Sequence, residues 1–261
     1  MSLVGEERKQ VILNMINDAG KVRTNDLVRT LQVSSETIRR YLEELEEDNR
    51  LKRVYGGAVK MTLEREELPH GKREVLRAEE KRRIGRAAAN LVEDNDVVVI
   101  DDGSTTQQMI QFLMYKKNLT VLTNSVPGLN LLIEYTNKEL FGGEVFFLGG
   151  KIDAKHYRTC GSLTGSMMSS FYVNKAFLSI DGLHPRRGIT SYDADRANLS
   201  RVFMEHAKQN IILTDSSKLG DTKLYKMAAI KEIDTIISDV PVPSEWAEEL
   251  KDLDVEWITA E

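Results

Sequence analysis

The stretch VSSETIRRYLEELEEDNRLKRVYGGAV, residues 33–59, decides how the first part of the chain reads. Ser34 is placed to cap a helix in which Ile38, Leu42 and Leu45 recur at helical spacing. The helix gives way to Leu51-Lys52-Arg53-Val54-Tyr55-Gly56-Gly57-Ala58-Val59, whose Gly-Gly turn signal predicts a hairpin. Upstream, Val11, Ile12, Met15, Ile16 and Ala19 form an apolar stripe, a helix that Gly20 should stop. Thr24 is a candidate N-cap for a short second helix carrying Leu27, Val28 and Leu31. Helices, turn, helix and basic hairpin in this order are the layout of a winged helix-turn-helix. Its third helix enters the DNA major groove by its N-terminal part.

With Ile38 and Leu42 turned inward, the start of that helix offers Ser34, Ser35, Thr37, Arg39 and Arg40. An arginine can bond guanine bidentately, worth ~1–3 kcal/mol of discrimination. The hydroxyls suit phosphates, which set register. Lys52, Arg53 and Tyr55 are the candidate wing contacts. The later run Glu43-Glu44-Leu45-Glu46-Glu47-Asp48 repels phosphates, so only the first turns are expected deep in the groove.

The 261 residues are 41% hydrophobic and 30% charged, which excludes wholesale disorder and a disulfide-stapled miniprotein. No apolar run reaches the ~18 residues of a membrane span. The opening MSLVGEERKQVILNM stays amphipathic, unlike a signal peptide, and Cys160 stands alone. Together these point to a reducing cytoplasm. The net charge of −5 counts against a nucleic-acid binder, but it is unevenly spread. Residues 1–60 carry 11 Lys and Arg against 10 Asp and Glu, whereas residues 61–261 carry 25 against 31. A small, locally basic module can therefore still meet phosphates.

A charged stretch with Pro69 and Gly71 separates two periodicities. It sets expected boundaries of 1–60 for the winged module, 61–77 for a linker and 78–261 for an effector-sensing domain. A helix is expected from about Glu74 to Val92, with Ile84, Ala87, Ala88 and Leu91 on one face. Apolar strands then alternate with helical stretches: Val97–Asp101, Leu119–Thr123, Val145–Leu148, Ala176–Ile180, Asn210–Thr214 and Thr235–Ser238. Strands apolar on both faces predict a parallel α/β sheet covered on both sides.

Ligands of such sheets sit at the carboxyl ends of the strands. Those ends are Asp101, Thr123, Gly149, Asp181, Asp215 and Asp239. Between a strand and a helix, Gly103 permits close backbone approach, and Ser104, Thr105 and Thr106 suit an anion at the helix start. Lys218 adds a cation, and Asp101 and Asp181 are placed to accept sugar hydroxyls. The four histidines lack metal-ligand spacing, and no nucleophile elbow or Gly-rich nucleotide fingerprint is present.

The run VSSETIRRYLEELE followed by LKRVYGGA resembles the N-terminal signature of the DeoR family of bacterial sugar-metabolism repressors. The resemblance continues through Glu80-Lys81, Ile100 to Thr106, Thr123-Asn124-Ser125, Leu148-Gly149-Gly150, Asp215 to Lys218 and Ile237-Ser238-Asp239. Thr123, Asn124 and Lys151 complete the candidate effector contacts. The family's C-terminal domain is similar in fold to ribose-5-phosphate isomerase and typically binds a phosphorylated sugar or related metabolite. Two positions depart from the family pattern: Tyr41 stands where Asp is usual, and Arg196 where Glu is frequent. Arg196 is then either a second anion contact or a side chain facing solvent.

The resemblance implies a repressor of sugar-metabolism genes that binds operator DNA as a dimer or tetramer and is released by a phosphorylated sugar. It implies no cofactor, metal or membrane. Two other readings stay open at this point. One is an activator whose metabolite tightens DNA binding. The other is a DNA-binding protein that keeps isomerase-like catalysis, with Asp101 or Asp181 as general base.

Overall fold

The computed structural model describes residues 3–47, 50–60 and 67–261. The chain divides into two compact units, Met1–Arg65 and Glu66–Glu261. The first contains α1 (Leu3–Ala19), β1 (Lys21–Arg23), α2 (Thr24–Leu31), α3 (Ser35–Glu47), β2 (Leu51–Val54) and β3 (Gly57–Lys60). Gly20 ends α1 with φ +72°, and its N–H reaches back to the Ile16 carbonyl at 2.8 Å. Ile12, Ile16, Leu27, Ile38, Leu42 and Leu45 form the core, as their spacing requires.

Four details differ from the sequence reading. Leu13 enters the core, whereas Val11 is 38% exposed. Tyr41 is buried with the core, so the ring at this position packs between helices. Thr24 is the first residue of α2 and not its cap. Its N–H is drawn instead to the Gly56 carbonyl at 2.9 Å. β1, too short for a readable alternation, pairs antiparallel with β3. That pairing explains Gly57, where a Cβ would lie 2.0 Å from the Val22 carbonyl oxygen. The turn itself uses Tyr55 and Gly56, the latter at φ +81°.

The second unit begins with α4 (His70–Val75), α5 (Ala78–Asn90), β4 (Val97–Ile100), β5 (Thr120–Thr123), α6 (Val126–Asn137) and β6 (Glu144–Phe147). It continues through β7 (Lys151–Asp153), β8 (Arg158–Cys160), α7 (Ser162–Met168), β9 (Val173–Ser179), β10 (Gly182–His184) and β11 (Gly188–Ser191). It ends with α8 (Ala194–Glu205), β12 (Ala207–Thr214), β13 (Tyr225–Ala228), β14 (Thr235–Ser238), α9 (Ala247–Asp252) and β15 (Glu256–Thr259).

A seven-stranded sheet has the order β15-β14-β12-β9-β4-β5-β6, with every pairing parallel. Alternate residues feed two cores. Val99, Leu122, Leu178 and Ile212 enter one; Val98, Ile100, Val121, Phe177 and Ile211 enter the other. The edge strand β6 departs from this, because Glu144 and Phe146 are exposed. β15 was not expected, since its apolar pair Trp257-Ile258 is too short to read as a strand. The β7–β8 hairpin and the antiparallel sheet β10-β11-β13 are also additions.

The helix expected from Glu74 onward is two helices. They break at Leu76 and at Arg77, whose φ of +52° no continuing helix allows. Residues 61–66 of the expected linker, and Asp48, lie outside the described residues. Among the described residues no helix is long and apolar enough to cross a membrane.

Candidate functional site

In the first unit, Ser34 Oγ accepts the Thr37 N–H at 3.2 Å and lies 2.9 Å from Thr37 Oγ1. This caps α3 and sets the two hydroxyls side by side at its N-terminus. Ser35, Arg39 and Arg40 are exposed on the same first turns. Arg40 leans over the Tyr41 ring, 5.7 Å from its centre, and lies 3.7 Å from Glu44. At the hairpin, Lys52 and Tyr55 are exposed, and Tyr55 stands fully out from the turn. Arg53 is held differently from a free wing contact. Its Nη1 meets Glu43 at 3.2 Å and its backbone N–H donates to Glu46 at 2.7 Å, so it clasps β2 to α3.

In the second unit, the central strands β4, β5, β9 and β12 end together, which gathers Asp101, Thr123, Asp181 and the turn holding Lys218 on one edge of the sheet. Asp101 is closed by its own surroundings. It accepts from the backbone N–H groups of Ser179 (2.8 Å) and Gly103 (3.0 Å) and from the hydroxyls of Thr106 (2.6 Å) and Ser179 (2.8 Å). The Thr106 hydroxyl is thereby spent inside the fold. Ser104 Oγ accepts from the buried ammonium of Lys81 at 3.0 Å, and that ammonium also bonds the Arg73 carbonyl. The helix expected after the loop is a seven-residue 3-10 helix, Thr106–Phe112.

Arg196 does not face solvent. It is 2% exposed, donating to Asp181 at 2.9 Å, Ser179 Oγ at 2.6 Å and the Ser179 carbonyl at 3.1 Å. Arg158, 1% exposed, donates to Asp102 at 3.1 Å and pairs with Asp153 at 3.1 Å. Glu67 lies among these cations, Arg73 at 2.6 Å and Arg158 and Arg196 each at 3.5 Å, with the His156 ring nitrogen at 3.4 Å. Among the described residues several buried guanidinium nitrogens have no hydrogen-bond partner: Nε of Arg158, Nε of Arg196, which lies 3.7 Å from Asp102, and Nε and Nη2 of Arg73. Asn124 donates to the Thr159 carbonyl at 3.0 Å, and its own amide oxygen is buried with no hydrogen-bond partner among the described residues. Lys151 is exposed on β7, and the structure does not bring it into this cluster.

The electrostatics follow from burial and these pairings. Burial alone would raise Asp102, but Arg158 and Arg196 outweigh it and hold the carboxyl far below its usual range. Arg196 does the same for Asp181. Asp101 goes the other way, raised by burial against the pull of Arg196. Burial pushes Glu67 up to about 7. Burial pushes Lys81 down to about 8, with Lys218, Arg73 and Arg77 adding to it against Asp215. Half-buried Lys218 also bears on Asp181, which places its charge beside the cluster.

Sequence reasoning missed Glu67, Arg73, Lys81, Asp102 and Arg158 as parts of one site. A signal existed for Lys81, which stands three residues before Ile84 on the buried stripe of α5. Among the described residues no group of His, Cys, Asp and Glu is arranged to hold a metal ion.

Comparison with known proteins places these two constructions in one setting. Residues 8–63 match the model of a DeoR-like helix-turn-helix domain, and residues 76–240 that of the DeoR C terminal sensor domain. The chain is 37% identical over 234 residues to the HTH-type transcriptional repressor GlcR of Bacillus subtilis, covering 90% of this chain and 88% of the relative. It is 30% identical to a lactose phosphotransferase system repressor of Staphylococcus epidermidis, covering 89% and 91%. A solved D-ribose-5-phosphate isomerase in complex with phospho-erythronic acid is similar at 19% identity over 55% of each chain, with a TM-score of 0.40.

Proposed function

The chain belongs to the DeoR family of transcriptional regulators, and on that premise we propose that it represses sugar-metabolism genes and leaves its operator when a phosphorylated sugar binds the second unit. GlcR and the lactose phosphotransferase system repressor are both named as repressors. In agreement, the Asp101 carboxylate, a candidate general base, is surrounded by four internal donors. Ser34, Ser35, Thr37, Arg39 and Arg40 at the start of α3 meet the major groove, with Lys52 and Tyr55 on the wing. Two copies of the chain read paired half-sites as a homodimer or a higher oligomer.

The observation that carries the effector reading is the set of buried guanidinium nitrogens on Arg73, Arg158 and Arg196 that have no hydrogen-bond acceptor among the described residues, at the carboxyl ends of the central strands. Buried donors without partners are costly, and an anion is the ligand that satisfies them. Its phosphate lies between these groups, the Gly103–Thr106 loop and Lys218, while Asp181, Thr123 and the open Asn124 amide oxygen face sugar hydroxyls. A relative named for a phosphotransferase system fits a phosphorylated ligand. The ligand releases DNA by favouring one conformer, since equal affinity for both would shift nothing.

A thermal-shift screen of the full chain against sugar phosphates and their unphosphorylated parents tests this. A true ligand at a hundredfold excess over Kd stabilises the native state by ~2.7 kcal/mol. A sugar phosphate should raise Tm where its neutral parent does not. Equal shifts from both would remove the anion from the account.

A further inference from the structure

We propose that the Glu67 carboxylate is an internal anion that holds the effector's phosphate position, so that Glu67 and the ligand exclude one another. The inference rests on the reading of a phosphorylated effector at this site, and it supplies the means of regulation.

Glu67 is held differently from Asp101 and Asp181; Asp102 is also held by side chains, but through a 3.1 Å hydrogen bond from Arg158. Asp101 accepts two backbone N–H groups, and Asp181 accepts the Tyr192 N–H at 3.2 Å as well as the Ser191 hydroxyl. Those two belong to the ends of β4 and β9. Among the described residues, Glu67 is given no backbone donor and is held by side chains alone. One contact, to Arg73 at 2.6 Å, is short. The contacts to Arg158 and Arg196 stretch to 3.5 Å, beyond the ~2.7–2.9 Å of a good charge-assisted hydrogen bond. Two carboxylate oxygens are spread over three guanidinium groups and one imidazole, and among the described residues four guanidinium nitrogens still lack a hydrogen-bond acceptor. A phosphate dianion brings three free oxygens and twice the charge to the same forks. The position is therefore filled by a weaker anion than the one it suits.

The place of Glu67 in the chain gives the exchange a consequence. Glu67 is the first described residue of the second unit, and only residues 61–66 separate it from Lys60 at the end of β3. A ligand that expels Glu67 releases the first described side chain of the second unit that reaches into the cluster. The DNA-reading unit is joined to that segment.

The test uses the full chain and inorganic phosphate, measured by calorimetry at constant ionic strength. Glu67→Gln removes the charge and keeps the shape. Glu67→Asp withdraws the carboxylate by one methylene and serves if the glutamine variant does not fold. Either should bind phosphate about tenfold more tightly than the wild type. In the wild type, phosphate should also speed tryptic cleavage after Arg65. Unchanged or weaker phosphate binding in both variants, or cleavage indifferent to phosphate, overturns the internal anion. Lys218→Ala separates the two layers of the account. If it weakens phosphate binding while the Glu67 variants do not strengthen it, the anion site stands and the competition falls. If neither change alters phosphate binding, or no protein binds phosphate, both fall.

Discussion

Gly103 rests directly against Ser179: a Cβ built on Gly103 would stand 1.9 Å from Ser179 Oγ and 2.4 Å from its Cβ. The glycine is therefore required by packing between the loop after β4 and the end of β9, and not by ligand approach alone. The same Ser179 hydroxyl donates to Asp101 and accepts from Arg196, so the neighbour cannot yield without disturbing the cluster.

Gly103→Ala should accordingly destabilise the second unit by ~1–3 kcal/mol, the usual cost of overpacking a well-filled site. Urea denaturation measures it. An unchanged midpoint would mean that the loop moves freely away from β9.

The Glu67–His156 pair makes an opposed pH dependence. Burial raises Glu67 from 4.5 to about 7, so between those values the folded chain keeps a proton that the unfolded chain has lost, and stability from this group falls as pH rises. Burial and Arg158 lower His156 from 6.5 to about 4, so the unfolded chain binds the extra proton there and stability rises with pH. Relative to wild type, the Tm of Glu67→Gln should climb from pH 4.5 to 7, and that of His156→Asn should fall from pH 4 to 6.5. Curves that run parallel to wild type would contradict both assignments.

Lys81 supplies a second window. Burial lowers its ammonium from 10.5 to about 8, so between those values the unfolded chain binds the extra proton and stability from this group rises with pH. The Tm of Lys81→Met, relative to wild type, should fall across that range. A constant difference would mean that Lys81 is not held against its burial.

On DNA, the exposed arginines of α3 and the clasped arginine of the wing should separate. Arg39→Ala should weaken operator binding by ~1–3 kcal/mol if it reads guanine, and relax preference at that base pair. Arg53→Ala should weaken it less, because Arg53 is already engaged with Glu43 and Glu46. A fluorescence-anisotropy titration compares them, and a larger loss for Arg53 would reverse the assignment.

The fold was legible where period and punctuation were strong. Ile38, Leu42 and Leu45 mark α3, Gly20 ends α1, and apolar runs mark the six inner and flanking strands of the parallel sheet. β1 and β15 were not legible, because three or four residues carry too little alternation and take their form from the strand beside them. The site was half legible. Strand ends gave Asp101, Asp181 and Lys218. Arg196, on the buried side of α8, reads from the sequence either as an anion contact or as a solvated side chain, and only its partners from distant segments decide between them. Glu67 reaches Arg158 and Arg196 across 91 and 129 residues, separations that no local pattern encodes.

In the proposed mechanism a phosphorylated sugar frees this protein from DNA. The most direct test titrates the full chain onto an operator recovered by selection from genomic fragments, with and without the sugar phosphate that raises Tm. Wild type should lose about tenfold or more in DNA affinity with that ligand, and the unphosphorylated sugar should leave affinity unchanged. Lys218→Ala should bind the operator as wild type does and resist release. A ligand that tightens DNA binding would make the protein an activator, and release by the neutral sugar as readily as by its phosphate would contradict the account.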